Sequence, residues 1–139
     1  IDMVRALGIT GIPERQISLV IIGVPVPIIC YVDLWADGIL YDFKTSGFGW
    51  GQARADAEQF QPTVYSQAYA EELGVELPRF EFLVLPRQTT GPIQRLDATR
   101  TVIQNMDVFD EIRRIYRGIE AEEFGCLPAC GKHVDQEAA

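Results

Sequence analysis

The chain has 139 residues, a length that allows one domain with a buried core. Hydrophobic residues make up 47% and charged residues 23%, which excludes a disordered, collagen-like or coiled-coil protein. The net charge of -8 argues against a surface that binds nucleic acid by bulk positive charge, although a site for divalent cations also needs clustered carboxylates. Because no apolar run reaches the roughly 18 residues that a membrane span needs, we expect no membrane partner.

The predicted elements alternate between strands and helices in the order β-β-β-α-β-α. They are strands at Glu14–Ile22, Ile28–Trp35 and Ile39–Thr45, a helical region at Gln52–Leu73, a strand at Phe80–Leu85 and a helix at Thr101–Glu122. Pro62 lies inside the first helical region and is expected to kink or split it. This order predicts an α/β fold, in which a three-stranded antiparallel meander, a crossover helix and a further strand form a mixed sheet flanked by helices.

The ends of the chain and its cysteines bear on its extent and its compartment. Because the chain begins with Ile1 rather than Met, we expect a single domain at 1–139 that is truncated at its N-terminus, with a C-terminal tail at 124–139. Three cysteines without a framework spacing favour a reducing compartment, and no signal peptide is recognisable. We therefore expect a cytoplasmic protein.

The dipeptide Asp37-Gly38 is a strong signal for a two-residue hairpin turn between the second and third strands. In that register Asp33 lies opposite Asp42 as a pair without mutual backbone hydrogen bonds, with Cβ atoms about 4.5–5.5 Å apart. Because side chains alternate along a strand, Lys44 projects from the same face as Asp42. The hairpin thus predicts two carboxylates and one ammonium group on one patch of the sheet.

Two carboxylates placed opposite each other in a sheet repel, so a compensating charge is expected. Lys44 is one source of that charge, and a hard divalent cation bound by both acids is another. An exposed hairpin, in which both acids face water and Lys44 forms a weak ion pair, is an alternative that the pattern leaves open.

The motifs resemble a known family. The strings Tyr31-Val32-Asp33-Leu34 and Asp42-Phe43-Lys44-Thr45-Ser46, followed by Gln61-Pro62-Thr63-Val64-Tyr65 on the next helix, are similar to the PD-(D/E)XK nuclease superfamily in its RecB-like exonuclease branch. That branch includes nuclease domains of recombination helicases, phage exonucleases and nucleases of CRISPR adaptation. The resemblance covers Glu14 to about Glu122 and implies a restriction-endonuclease-like fold.

The resemblance also implies roles for the residues at the hairpin. Asp33, Asp42 and the backbone carbonyl of Phe43 correspond to ligands of Mg²⁺ or Mn²⁺, and Lys44 corresponds to the residue that positions and activates the attacking water. These roles suit phosphodiester hydrolysis, which needs a nucleophile at neutral pH and compensation of developing negative charge.

Two further positions carry weaker implications. Gln61 and Tyr65 lie one helical turn apart and would face the site or the DNA backbone, whereas the alternative places Tyr65 in the core. The family commonly has a Glu or His on a helix before the first strand. Glu14 is the nearest acid, and we interpret it as a substrate-binding or strand-edge residue rather than a metal ligand.

Other constellations are less specific. Gly47, Gly49 and Gly51 lack the Lys-Ser/Thr of a phosphate-binding loop, so we expect a flexible entry to the helix that leaves room for substrate. Cys126 and Cys130, with His133, form only half of a metal site, and an iron–sulfur cluster is not expected in this chain because it needs four ligands.

The remaining cysteine and the arginines have ordinary interpretations beside functional ones. Cys30 is expected to be a buried small hydrophobe. Candidate phosphate-binding residues are Arg87, Arg95, Arg113, Arg114 and Arg117, and the alternative for those on the last helix is a solvated, ion-paired face.

Together these features predict a metal-dependent DNA nuclease, exonuclease-like, in recombination, repair, phage or CRISPR-related DNA processing. Its expected cofactor is Mg²⁺ or Mn²⁺, and its expected partners are DNA and other domains or subunits of such a complex. One alternative is an inactive nuclease-like scaffold or DNA-binding module of a larger complex. Another is a nucleotide-binding protein that uses the glycine-rich turn.

Overall fold

The computed structural model describes residues 2–88 and 91–123. Within these ranges the elements, in chain order, are α1 (Asp2–Arg5), β1 (Ile12–Leu19), β2 (Ile28–Ala36), β3 (Ile39–Ser46), α2 (Gln52–Ala57), α3 (Phe60–Leu73), β4 (Arg79–Pro86), β5 (Gln94–Asp97) and α4 (Val102–Glu120). Cys126, Cys130 and His133, and the predicted tail at 124–139, lie outside the described residues.

The described strands form one sheet in the order β1-β2-β3-β4-β5. The first three strands pair antiparallel, β3 and β4 pair parallel, and β4 and β5 pair antiparallel. A parallel pair needs a crossover, and α2 and α3 supply it. The predicted mixed sheet with flanking helices is confirmed. The prediction missed β5, which has four residues and alternates half-buried with exposed positions, too short a pattern to separate from a loop.

The hairpin between β2 and β3 forms at the predicted place. Asp37 and Gly38 both have positive φ, 51° and 78°, as a type I′ turn requires, and Ala36 pairs with Ile39. The twist of this turn matches that of the strands, which is why Asp-Gly is favoured there. The predicted register is therefore correct for the first pairs of the hairpin.

The predicted long helix is divided before Pro62 rather than at it. α2 ends at Ala57 and α3 begins at Phe60, so Pro62 lies in the first turn of α3, where a backbone N–H has no helical partner. Proline therefore does not interrupt the helix between Gln61 and Tyr65. No helix in residues 2–88 and 91–123 is long and apolar enough to cross a membrane.

The sheet has an apolar cluster on each face. The larger cluster lies under α3 and α4 and includes Val32, Leu40, Tyr69, Phe80 and Phe82. The smaller one lies on the opposite face and includes Val4, Leu34, Tyr41 and Leu83. α3 packs directly on β1, β2 and β4, and α4 packs on α3. The polar side chains that β3 directs toward α3 are consequently shielded from most of the solvent.

Candidate active site

Strand β3 places two charged side chains beneath α3. Asp42 and Lys44 alternate with Tyr41 and Phe43, which pack in the cluster on the opposite face. The Asp42 residue is only 4% exposed, whereas the Lys44 side chain is 26% exposed. Lys44 Nζ lies 2.8 Å from Asp42 Oδ2. The structure therefore has the Asp42 and Lys44 side chains on one face of the sheet, as predicted.

Gln61 on α3 connects the two charged groups from above. Its Oε1 accepts a hydrogen bond from Lys44 Nζ at 2.6 Å, and its Nε2 donates to Asp42 Oδ1 at 3.4 Å. A carboxamide can form hydrogen bonds with an ammonium group and a carboxylate at once, because it has an acceptor oxygen and two N–H donors. We call Asp42, Lys44 and Gln61 the carboxylate–lysine cluster.

The second acid, Asp33, has a different local structure from the one predicted. Regular pairing of β2 with β3 ends at Leu34 and Tyr41, one residue short of the predicted Asp33–Asp42 pair. Instead Asp33 Oδ2 accepts a hydrogen bond from the backbone N–H of Phe43 at 2.7 Å. The carboxylate occupies the position of a backbone carbonyl, so the two strands separate at this point.

Burial raises the pKa of Asp42. Desolvation raises the pKa of the Asp42 carboxyl above its ordinary value, the nearby Lys44 ammonium lowers it, and the negative charges of Asp33 and Glu58 raise it again. The net direction is upward, so one lysine does not compensate fully for burial of this carboxylate. Oδ2 of Asp42 is also buried without a hydrogen bond of normal geometry among the described residues, despite its proximity to Lys44.

Tyr65 lies one turn after Gln61 and is half-buried. Its ring is 6.3 Å from that of Phe80, centroid to centroid, in a tilted arrangement. Burial raises the pKa of the Tyr65 hydroxyl, and a hydrogen bond with the Gln61 side chain lowers it. The residue therefore combines the two predicted alternatives, because its ring packs on the core while its hydroxyl contacts the carboxylate–lysine cluster.

Glu14 lies inside β1 and not at its start. It is exposed and has φ of 48°, a left-handed conformation that is uncommon for residues other than glycine. The pairing of β1 with β2 skips Glu14, whose partner in that register would be Asp33. Both acids line a cleft of about 530 Å³ on the face of the smaller apolar cluster, so Asp33 as well as Glu14 borders that face, whereas Asp42 lies beneath α3 against Gln61.

The donors at this place suit a hard divalent cation. Asp33 and Asp42 provide carboxylate oxygens, and in an extended strand the Phe43 carbonyl leaves on the same side as the N–H that donates to Asp33. Mg²⁺ requires oxygen ligands and usually retains several waters, so a few protein ligands suffice. No group of three or more His, Cys, Asp or Glu suited to metal binding occurs in the described part of the chain.

Three of the five candidate arginines have acidic partners. Arg113 is paired with Asp110, Arg114 with Glu111, and Arg95 with Glu81. This agrees with the ion-paired interpretation for the α4 residues. Cys30 is buried, as predicted, and burial raises the pKa of its thiol to about 11.

One ion-paired group was not predicted from the sequence. Glu81 is buried on β4 between Arg79 and Arg95, on the face away from the carboxylate–lysine cluster. Its partners come from two strands, one of which was not predicted, so no local pattern indicated this group. The bond from Phe43 N–H to Asp33 was also missed, because it replaces the regular pairing that strand periodicity assumes.

Comparison with known proteins gives a structural relationship without a sequence relationship. No family model matches the chain, and no curated protein matches it. A crystal structure of a protein from Eubacterium rectale, provisionally named an exonuclease, aligns with a TM-score of 0.61 at 14% sequence identity. The alignment covers 84% of this chain and 48% of that one, so the chain spans about half the length of that protein. At this identity the similarity shows the fold, a mixed sheet of the restriction-endonuclease-like kind.

Proposed function

We propose that this chain is a metal-dependent nuclease domain that hydrolyses phosphodiester bonds of DNA. The observation that carries the proposal is the buried Asp42, paired with Lys44 and held by Gln61, beside a second acid at the point where β2 and β3 separate. A carboxylate whose burial is only partly compensated is an unfavourable element of a core unless a cation binds there. The structural similarity to a protein named as an exonuclease supports the same conclusion.

Each residue of the site has a chemical task in this proposal. Asp33, Asp42 and the Phe43 carbonyl would hold Mg²⁺ or Mn²⁺, which supplies Lewis acidity and lowers the pKa of water. Lys44 remains partly exposed, so its ammonium group can position the attacking water and stabilise negative charge on the phosphoryl oxygens. Gln61 orients that ammonium through a 2.6 Å hydrogen bond and thereby fixes the direction of its remaining protons.

The sequence resemblance refines the proposal to an exonuclease-like enzyme of recombination, repair, phage or CRISPR-related DNA processing. In such systems the domain would act with other domains or subunits. The similarity to about half of the longer Eubacterium rectale protein is compatible with a nuclease unit that belongs to a larger assembly.

An inactive scaffold is the second candidate, and two observations favour it. The described residues contain no group of three or more potential ligands, and Asp33 lines a cleft with Glu14 on the face of the smaller apolar cluster, whereas Asp42 lies beneath α3. A scaffold would retain Asp42 and Lys44 as a buried ion pair without binding metal.

Calorimetric titration with Mn²⁺ separates the two candidates. A nuclease gives a saturable heat signal in the wild-type protein that disappears in Asp42→Asn, together with Mg²⁺-dependent cleavage of a labelled oligonucleotide. Absence of both signals in the wild-type chain would establish the scaffold instead. Asp56→Asn, which changes an exposed acid on α2, is a matched control and should leave the heat signal unchanged.

A further inference from the structure

Phe48 is the most exposed large apolar residue among those that the structure describes. It is 105% exposed, ahead of Ile22 at 88%. A single apolar side chain in water needs no explanation by itself. Two further features distinguish Phe48. Its backbone is held by hydrogen bonds, and it follows the strand that carries Asp42 and Lys44.

The loop that carries Phe48 is fixed by hydrogen bonds. Ser46 Oγ donates to the Gly49 carbonyl at 3.2 Å and accepts from the Phe48 N–H at 3.3 Å. The Gln94 side chain accepts from the Trp50 N–H at 2.8 Å and donates to the Trp50 carbonyl at 2.9 Å. Gly49 has φ of 76°, and a Cβ atom there would lie 2.7 Å from Gln94 Oε1. The phenyl ring therefore projects from an ordered backbone, which lowers the entropic cost of binding to it.

The loop begins where the strand of the proposed site ends. Ser46, the last residue of β3, is on the same face as Lys44, and the chain from Lys44 to Phe48 can span at most roughly 14 Å. β3 and β4 are parallel, so their carboxyl ends lie at the same edge of the sheet. The Phe48 ring is consequently within reach of a substrate that occupies the site.

A positive charge lies at the same edge. The Arg87 N–H donates to the Ser46 carbonyl at 3.1 Å, which places Arg87 beside the start of the loop, and its side chain is exposed. Between the two strand ends is a cleft of about 350 Å³, lined in part by Phe48, Pro86 and Pro92. An exposed aromatic ring and a cation at one edge of a sheet are the combination that binds single-stranded nucleic acids, through base stacking and phosphate contact.

We infer that Phe48 and Arg87 form a binding subsite for single-stranded DNA, with one base stacked on the phenyl ring and a neighbouring phosphate bound by the guanidinium. This rests on the proposed nuclease function and specifies its substrate. Bases inside a duplex are already stacked on their neighbours, so the ring can accept only an unpaired base. The DNA that reaches Lys44 is therefore an unpaired strand or a frayed end.

Fluorescence anisotropy of a labelled oligothymidylate tests the stacking contact. Binding is measured in EDTA, and again with Mg²⁺ in the Asp42→Asn background, so that cleavage does not interfere. We expect Phe48→Ala to weaken binding by about 5- to 150-fold and Phe48→Trp to retain it. Phe48→Leu keeps apolar area without an aromatic face and should behave like Phe48→Ala.

The salt dependence of binding tests the phosphate contact separately. Arg87→Ala should weaken binding and reduce the slope of log K against log salt concentration by about 0.7, the value for one phosphate contact on a single strand. Phe48→Ala should leave this slope unchanged, because stacking releases no counterions. Ile103→Ala, which removes another exposed apolar side chain (75% exposed) on α4, should leave both quantities unchanged.

The outcomes distinguish failure of this inference from failure of the proposed function. If neither the wild type in EDTA nor Asp42→Asn with Mg²⁺ binds the oligonucleotide, the subsite is wrong, and the nuclease proposal is decided separately by the Mn²⁺ titration and the cleavage assay. If it binds and Phe48→Ala binds equally well, the stacking subsite alone is wrong. If Phe48→Leu binds like the wild type, the ring acts as an ordinary apolar surface, as expected for contact with another protein, and stacking is excluded.

Discussion

Asp33 Oδ2 accepts a 2.7 Å hydrogen bond from the backbone N–H of Phe43, in place of the backbone carbonyl that a regular hairpin would supply. Regular pairing of β2 with β3 stops at Leu34 and Tyr41, and this bond joins the two strands just beyond that point. Asp33 thus has a structural role that exists without any metal. Its proposed role as a metal ligand must be separated from this one by experiment.

Two substitutions of Asp33 distinguish its structural role from its proposed role as a metal ligand. Asp33→Ala removes the acceptor of a partly buried N–H and should lower the free energy of unfolding by about 1–3 kcal/mol. Asp33→Asn retains an amide oxygen that can accept the same bond, so stability should stay near that of the wild type while metal-dependent cleavage is lost. Urea unfolding and an oligonucleotide cleavage assay measure the two effects. Cleavage at the wild-type rate by Asp33→Asn would contradict a metal-binding role for this acid.

Asp42→Asn should abolish Mg²⁺-dependent cleavage and at the same time stabilise the metal-free protein at pH 7. The raised pKa of Asp42 means that the fold favours the uncharged form of this side chain, and asparagine resembles that form. Mn²⁺ at 100 times its Kd should stabilise the wild type by about 2.7 kcal/mol and should have no effect on the variant. Equal stabilisation of both proteins by Mn²⁺ would place the metal elsewhere.

The pH dependence of stability follows from the same pKa. Because the folded-state pKa of Asp42 lies above its ordinary value of 3.8, its contribution to the free energy of unfolding is fully present below that value and is lost as the pH rises through the folded-state pKa. Metal-free wild type and Asp42→Asn should therefore differ least near pH 3 and more at pH 7, with the wild type losing stability relative to the variant as the pH rises. Urea midpoints of both proteins, measured in EDTA between pH 3 and pH 7, test the sign of this pH dependence.

Metal binding should respond to pH in the opposite direction. Protons compete with the cation for Asp42, so Mn²⁺ affinity should increase as the pH rises through the raised pKa of this carboxyl. Titration calorimetry at several pH values measures the Mn²⁺ affinity. An affinity that does not change over this interval would show that Asp42 is not a ligand.

Gln61→Leu should lower kcat with a small change in stability. The substitution removes the acceptor that orients Lys44 Nζ, so we expect a decrease in kcat of about 10- to 100-fold and a loss of about 0.5–1.5 kcal/mol in the free energy of unfolding. Gln67→Leu is the matched control, because Gln67 lies on the same helix and its Nε2 donates to Glu71 away from the site. If both variants had the same kcat, Gln61 would have only a structural role.

Local sequence patterns were sufficient for most of the sheet and for part of the site. Asp37-Gly38 predicted the hairpin and its register, because two successive positive φ values leave few residue choices. Period-two alternation predicted that Asp42 and Lys44 share a face, and the spacing of four predicted that Gln61 and Tyr65 share one turn of a helix. Each of these properties depends on neighbours in the chain.

The properties that give the site its chemistry depend instead on residues far apart in the chain. Gln61 reaches Lys44 and Asp42 because the crossover brings α3 over β3, and Gln94 of the unpredicted β5 holds the loop of Phe48. The burial that raises the pKa of Asp42 likewise comes from the packing of a helix on the sheet. The sequence by itself therefore determined which side chains lie on one face. Desolvation and long-range hydrogen bonds, which only the tertiary structure creates, raised the pKa of Asp42 and decided which partners hold those side chains.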